Sequence, residues 1–280
     1  MKHKIIHTTL LLFLALAAKA QPLTFKTDSL KFGLSHTVQN EEGTVDTVSC
    51  SRSHYFIWFD ETTPAGKELN NQLYGMVNEK NIGSLVELKE IMMVNEKNIG
   101  SLVELKEIMT EDFNDWAEGW NSQFEAEDSS PINYSFGLNW YEENNNGLSH
   151  QTPNNICLYQ SINGYYGGAH PMGGVAYMVY SLPDISPVKN WQTLFTDTLA
   201  ILKIAEEIFR KDNNLGPRTS LEKAGYWFSD NKFHLNDNFG LDAEGLFFYF
   251  NSYEIAPYAM GPTNITLPYS RINKYLKKPL

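Results

Sequence analysis

The chain has 280 residues, 42% of them hydrophobic, with 22 Lys and Arg against 33 Asp and Glu and a formal charge of −11. That length supports one large domain or two small ones, with a substantial core. The acidic balance argues against nucleic acid and anionic lipid as partners and is compatible with a basic one.

The first twenty residues read as a secretory signal peptide. Lys2, His3 and Lys4 precede the apolar run TTLLLFLALAA, and Ala18-Lys19-Ala20 supplies the small residues of a cleavage site before Gln21. The expectation is a periplasmic or secreted protein. The run is too short for a permanent span, and no other stretch has 18 uncharged apolar residues, so no membrane span is expected. No Cys follows the cleavage site to take a lipid anchor. Removing Lys2, Lys4 and Lys19 leaves 22 − 3 = 19 basic residues against 33 acidic, a charge of −14. Cys50 and Cys157 are the only cysteines. Export would place them in an oxidising compartment, where they would bridge if their strands were neighbours; the sequence leaves that open. No CxxC, HExxH or zinc-spaced Cys/His cluster occurs, and no GxGxxG or P-loop, so no metal or cofactor is expected.

Along the mature chain, His54–Phe59 (HYFIWF) predicts a strand. Thr63-Pro64 then starts a helix with Pro at its first position. The seventeen residues MVNEKNIGSLVELKEIM occur at 76–92 and again, letter for letter, at 93–109. Each copy holds a helix stop followed by a capping box, Ser84 with Glu87 and Ser101 with Glu104. Seventeen residues do not return to the same helix face, so the second copy cannot extend a buried helix in register. One copy is therefore expected to protrude or to form an added turn-back. Deleting one copy is expected to leave folding intact; a large fall in melting temperature in that deletion would overturn this reading.

Thr110–Phe124 continues as helix, with an aromatic stripe of Phe113, Trp116, Trp120 and Phe124 that reads as core. From Pro131 the pattern becomes strands: an antiparallel meander with Asn144–Gly147 (NNNG) as its first turn. A helix capped by Thr196 or Asp197 follows. Its apolar face is expected to be Leu199, Leu202, Ala205 and Ile208, and Gly216-Pro217 is expected to end it. Strands return in the last quarter, and Ser270–Leu276 closes the chain as a short helix. Helices before and between antiparallel strands predict an α+β fold, an antiparallel mixed sheet packed with helices.

Two stretches could carry function. In Asn163–Gly174 (NGYYGGAHPMGG), His170 could act as a base, a ligand or a contact, yet no nucleophile, acid or further ligand is placed beside it. The flanking pairs Gly167-Gly168 and Gly173-Gly174 suit a wide hairpin tip between two strands. In Tyr253–Gly261 (YEIAPYAMG), Glu254 sits among apolar residues. It would be either a general acid of raised pKa or a carboxylate bonded to backbone groups of a nearby turn. A glycan hydrolase or deacetylase using His170 and Glu254 is the alternative to a binding surface made by Tyr165, Tyr166, His170, Pro257 and Tyr258. No GxSxG or SxxK is present.

Taken together, Tyr165–His170 (YYGGAH), Thr193–Phe195, the helix Leu199–Arg210, Gly245–Gly261 and Ile265–Tyr269 (ITLPY) resemble an exported domain family. Its types are the ectodomain of the RsiV anti-sigma factor and the accessory region of the PdaC deacetylase. The resemblance covers the C-terminal part of the chain and divides the mature protein into a variable half, 21–145, and an RsiV/PdaC-type half, 146–280, that together form one unit. It implies a mixed α/β fold without catalytic activity of its own, which in the RsiV type grips lysozyme by filling its cleft. By this resemblance the protein is expected to be a binding domain of the cell envelope, engaging lysozyme or cell-wall glycan. A transmembrane helix, a sigma-binding segment and a deacetylase domain are missing, so the anti-sigma and deacetylase roles do not carry over. The tandem block is not part of the family pattern.

Overall fold

The computed structural model describes residues 23–39, 45–74, 101–122 and 139–280. Six strands make one sheet: β1 (Phe25–Gln39), β2 (Val45–Phe59), β3 (Trp140–Gln151), β4 (Asn155–Tyr165), β5 (Met172–Ser181) and β6 (Ser186–Pro187), adjacent in that order. Every neighbouring pair is antiparallel except β2 and β3, which run parallel from Cys50 beside Trp140 to Tyr55 beside Asn145. A smaller antiparallel sheet holds β7 (Phe239–Leu241), β8 (Gly245–Phe250) and β9 (Thr263–Pro268). The helices are α1 (Pro64–Tyr74), α2 (Leu102–Asn121), α3 (Thr198–Asp212) and the short α4 (Tyr269–Ile272). The fold is thus α+β, as expected, with one parallel seam that the meander pattern did not foresee. The large sheet takes strands from both sides of residue 145, which itself lies within β3.

The large sheet is covered on both faces, and β4 shows why. Ile156 and Leu158 point to a core with Phe56, Phe59, Leu69, Leu73, Leu105 and Met109. Cys157, between them, points to the opposite core with Phe209, Phe239, Phe248 and Leu267. A strand buried on both faces carries no polar alternation, which accounts for the unbroken apolar run Ile156–Tyr159. The order is therefore helices α1 and α2, then the large sheet, then the small sheet with α3. The two cysteines lie on β2 and β4 with β3 between them; both are free and buried. Cys157 Sγ accepts the Leu241 N–H at 3.3 Å, and burial pushes its thiol up to about 11.

Caps fix where the helices begin. Thr63 Oγ1 accepts the Gly66 N–H at 3.0 Å ahead of Pro64. Ser101 Oγ accepts from Glu104 N at 3.2 Å, as the capping box predicts for the second copy of the repeat. The first copy, and residues 93–100 of the second, lie outside the described residues. In the aromatic stripe of α2, Phe113 and Trp120 are buried and Trp116 is half-buried, while Phe124 lies outside the described residues. Asp197 caps α3 by accepting from Ala200 N at 2.9 Å.

Three expectations are corrected. Asn144–Gly147 is not a turn; it lies inside β3, with Gly147 paired to Tyr159. A Cβ on Gly147 would come within 2.4 Å of the Tyr159 ring, so this glycine makes room for an aromatic neighbour. Asn144 and Asn145 donate to Glu142 and Glu143 at 2.6 and 3.0 Å rather than capping a bend. The true turn follows at Thr152, whose hydroxyl accepts from Asn154 N and Asn155 N. The buried face of α3 is Ile201, Ile204, Ala205 and Phe209, with Leu199 77% exposed at the first turn. The helix stops at Asp212 with Asn213 as its C-cap, before Gly216: Asn214 then takes φ +55°, and Leu215 N donates to Arg210 O at 2.7 Å. Asparagine tolerates the left-handed conformation better than other non-glycine residues, so it can close a helix.

Candidate functional site

The β4–β5 hairpin ends in an open tip, Tyr166–Pro171. Gly167 and Gly168 hold φ of 86° and 106°, a region that residues with a Cβ avoid, and this lets the chain loop wide before β5 begins. Tyr165 closes the loop by donating its hydroxyl proton to Gly168 O at 2.8 Å. Gly173 and Gly174 belong to β5, opposite Asn163 and Ile162.

The loop after β8 meets this tip. Ile255 and Ala256 are buried in the core beneath it, which leaves Tyr253 and Tyr258 standing outward on either side. Two asparagines fasten β5 to the small sheet. Asn251 accepts from Val175 N at 2.7 Å and donates to Val175 O at 3.1 Å. Asn238 accepts from Tyr177 N and donates to Val175 O, both at 2.8 Å. Both side chains are 7% exposed, so each satisfies backbone groups that water cannot reach. Asn251→Ala would strand the Val175 N–H, while Val175 O keeps the Asn238 amide, and is expected to cost about 1–3 kcal/mol, read as a lower denaturant midpoint at unchanged slope. A midpoint equal to wild type would refute the clamp.

His170 is where tip and loop join. Its Nδ1 lies 2.8 Å from Pro171 O, a group that can only accept, so Nδ1 carries the proton. Nε2 is then the acceptor for the Tyr253 hydroxyl at 3.1 Å. The imidazole lies face to face on Tyr258, with centroids 4.1 Å apart and planes within 16°. Tyr253 and Tyr258 are themselves 5.5 Å apart. Tyr253 (52% exposed), Tyr258 (38%) and Met260 (44%) present this cluster to solvent, next to Pro257 at the start of the Tyr258–Met260 turn.

Of the residues singled out from sequence, His170, Pro257 and Tyr258 come together here. Tyr165 lies beside the cluster, stacked at 6.5 Å on Tyr141. Tyr166, the first residue of the tip, turns to the helix side of the sheet. There it donates to Glu142 Oε2 at 2.5 Å and packs against Trp116 and Trp140. Burial and the neighbouring carboxylate push its phenol above the ordinary range. Tyr253, which sequence reasoning passed over, is the residue that bonds the histidine. Its φ of +68° was a signal visible only in the folded chain.

Glu254 is exposed and its two oxygens are committed. One accepts from Asn251 N at 2.9 Å and the other from Asn236 Nδ2 at 2.6 Å. This is the turn-bonding role rather than an acid in an apolar pocket. Through Asn251 the carboxylate supports the hairpin strand. His170 is half-exposed, and neither of its ring nitrogens is bonded to Glu254. Among the described residues, no group of three or more His, Cys, Asp and Glu could hold a metal ion, and no helix is long and apolar enough to cross a membrane.

A second polar cluster lies beneath Tyr166. Arg52, 5% exposed, pairs with Asp112 and brings its Nε to 2.9 Å from Glu142 Oε1. Its guanidinium lies 4.6 Å over the Trp116 ring. Arg52 and His54 sit on the same buried face of β2 as Cys50 and Phe56, so strand alternation was the signal that could have revealed them.

Residues 192–270 match the family described as "Protein of unknown function (DUF3298)". That stretch runs from before α3 into α4 and carries the Tyr253 and Tyr258 loop, but not the hairpin tip. The whole fold is similar to the crystal structure of a DUF3298 family member from Bacteroides fragilis. That likeness has a TM-score of 0.64 and 21% identity, and covers 91% of this chain and 95% of the other. It is also similar to a DUF3298 family protein from Pseudomonas aeruginosa, at TM-score 0.51 and 16% identity, covering 92% and 95%. No curated protein matches. The DUF3298 stretch therefore supplies half of the aromatic cluster, and the β4–β5 hairpin supplies the other half.

Proposed function

We propose that the protein is an exported, non-catalytic binding domain of the cell envelope, akin to the RsiV ectodomain and the PdaC accessory region. Its contact surface is the hairpin tip together with the Pro257–Gly261 turn. The observation that carries this is the exposed stack of His170 on Tyr258, braced by the Tyr253 hydroxyl. Rings held in place before a partner arrives lose little conformational freedom on binding, and tyrosine is favoured at binding hot spots. A catalytic histidine needs an acid or a nucleophile in reach. Here its neighbours are a phenol and a carbonyl, and the nearby carboxylate is occupied. The net charge of −11 suits a basic protein such as lysozyme as the partner, with cell-wall glycan the other candidate.

The test is titration of hen lysozyme activity with the pure protein, run beside Tyr258→Ala and His170→Ala. Wild type is expected to inhibit, and Tyr258→Ala to weaken binding by about tenfold or more. Binding of soluble peptidoglycan fragments without lysozyme inhibition would move the partner to glycan. Absence of both, at micromolar protein, would overturn the reading. Fractionation of expressing cells, with the mature protein beginning at Gln21, tests export.

A further inference from the structure

The strand β1 pairs with β2 over its whole length, from Phe25 opposite Phe59 to Gln39 opposite Val45, with no shift of register. Its other edge pairs with no described residue. In an antiparallel ladder alternate residues face each side, so about seven N–H and about seven C=O groups line that free edge. Natural edge strands are usually shortened, bulged or interrupted by proline. This one has fifteen residues, no proline and no bulge.

Its sequence is close to a palindrome about Phe32. In Thr27-Asp28-Ser29-Leu30-Lys31-Phe32-Gly33-Leu34-Ser35-His36-Thr37, Thr27 mirrors Thr37, Ser29 mirrors Ser35 and Leu30 mirrors Leu34. The two positions that break the mirror are complementary: Asp28 answers His36, and Lys31 answers Gly33. A two-fold axis perpendicular to a sheet brings such mirror positions opposite one another on the same face. We propose that the free edge of β1 pairs antiparallel with β1 of a second copy, centred on Phe32, to form a dimer with one continuous sheet.

The two faces of β1 fit that arrangement. Residues of even number are the face covered by α2: Asp28 pairs with Lys106 at 2.6 Å, Phe32 stacks on Phe113 at 4.8 Å, and His36 Nε2 lies 3.0 Å from Asn121 Oδ1. Leu34, on this face, is 41% exposed, and the dimer lays it against Leu30 of the other copy. Residues of odd number from Phe25 to Thr37 are exposed, and there the two serine pairs and two threonine pairs meet. No charge stands directly opposite a like charge, because Lys31 faces a residue with no side chain; the two Lys31 side chains are diagonal neighbours on the exposed face, where water screens them. The strand carries Lys26 and Lys31 against Asp28, 2 − 1 = +1 without the histidine, on a chain of −11. The copies therefore meet where their shared acidity is interrupted.

Gly33 gives the decisive substitution. A Cβ there meets only Cys50 O at 3.6 Å and Ser51 Cβ at 4.0 Å, ordinary contacts, so a side chain is tolerated within one copy. In the dimer, Gly33→Lys sets two lysines opposite one another twice, whereas Gly33→Glu forms two ion pairs with Lys31. Sedimentation over a concentration series should give a dimer for wild type, a monomer for Gly33→Lys, and for Gly33→Glu a dimer at least as tight and more sensitive to salt. The double variant Lys31→Glu/Gly33→Lys should restore the dimer. A wild type that stays monomeric at every concentration, or a dimer that responds identically to Lys and Glu at position 33, would overturn the proposal. A readout independent of Gly33 is the double variant Ser29→Cys/Ser35→Cys. On oxidation it should link two chains, while Ser29→Cys/Thr37→Cys, out of register, should not; equal linkage in both, or in neither, would also refute the pairing.

Discussion

Arg52→Met is expected to destabilise the protein by about 3–5 kcal/mol, the range for breaking a buried ion pair from one side. For a chain of this size that corresponds to a fall in melting temperature on the order of 10 °C. The cost lies mainly at Glu142. Asp112 has a side chain 52% exposed and can turn to water, but that of Glu142 is only 10% exposed. Without the guanidinium, Glu142 keeps only the Tyr166 hydroxyl and the Asn144 amide. The double variant Arg52→Met/Glu142→Gln, which removes the stranded charge, is expected to recover more than half of the loss. Thermal and denaturant unfolding of the single and double variants decides it. A single variant within about 1 kcal/mol of wild type would show that the pair is not needed, as happens for exposed pairs.

The neighbour of that pair makes the second large effect. His54 is 6% exposed, and burial together with the positive charge of Arg52 pushes its imidazole down to about 4, with Glu142 pulling weakly the other way. An unfolded histidine titrates near 6.5, so between pH 6.5 and about 4 the unfolded chain holds a proton that the folded chain refuses. His54 thus leaves stability untouched above pH 6.5 and lowers it as pH falls through that window, by about 3 kcal/mol in all. His54→Leu should remove this part of the slope, and its stability curve should cross toward wild type near neutrality and run above it at pH 4.5. Parallel curves for the two proteins would show that the imidazole is not held neutral. Arg52→Met should also weaken the effect, since it removes one of the two causes.

The sequence revealed the elements better than their joining. The helix starts at Pro64, Ser101 and Asp197 were all readable, because capping is local chemistry. So was the hairpin around Gly167-Gly168, because two strand patterns flank a glycine pair. The stretch Asn144–Gly147 misled, since three asparagines and a glycine carry the same letters in a turn as in a strand where the glycine accommodates the Tyr159 ring. The face of α3 was misread in part, with Ala205 alone shared, for a similar reason: Leu199 is apolar but lies at the exposed first turn. At the candidate site, His170 and Tyr258 could be named separately. Nothing in their spacing of 88 residues says that one ring lies on the other, because a loop and a hairpin on different sheets have to meet first.

The parallel seam of the large sheet has a further bearing, on the order in which the chain finds its structure. Cys50 and Trp140 are neighbours across the seam although 140 − 50 = 90 residues separate them in sequence. By contrast, β1 with β2, β3 with β4 and β4 with β5 are joined by short connections. Closing the long segment carries a loop-entropy cost that the hairpins do not meet, so the hairpins are the fast events and the seam the slow one. A chain made from its N-terminus completes the β1–β2 ribbon first, yet its neighbour β3 is synthesised some eighty residues after β2 ends. Until then the ribbon has both long edges open. The early life of this protein is therefore the period in which it is most exposed to wrong pairing.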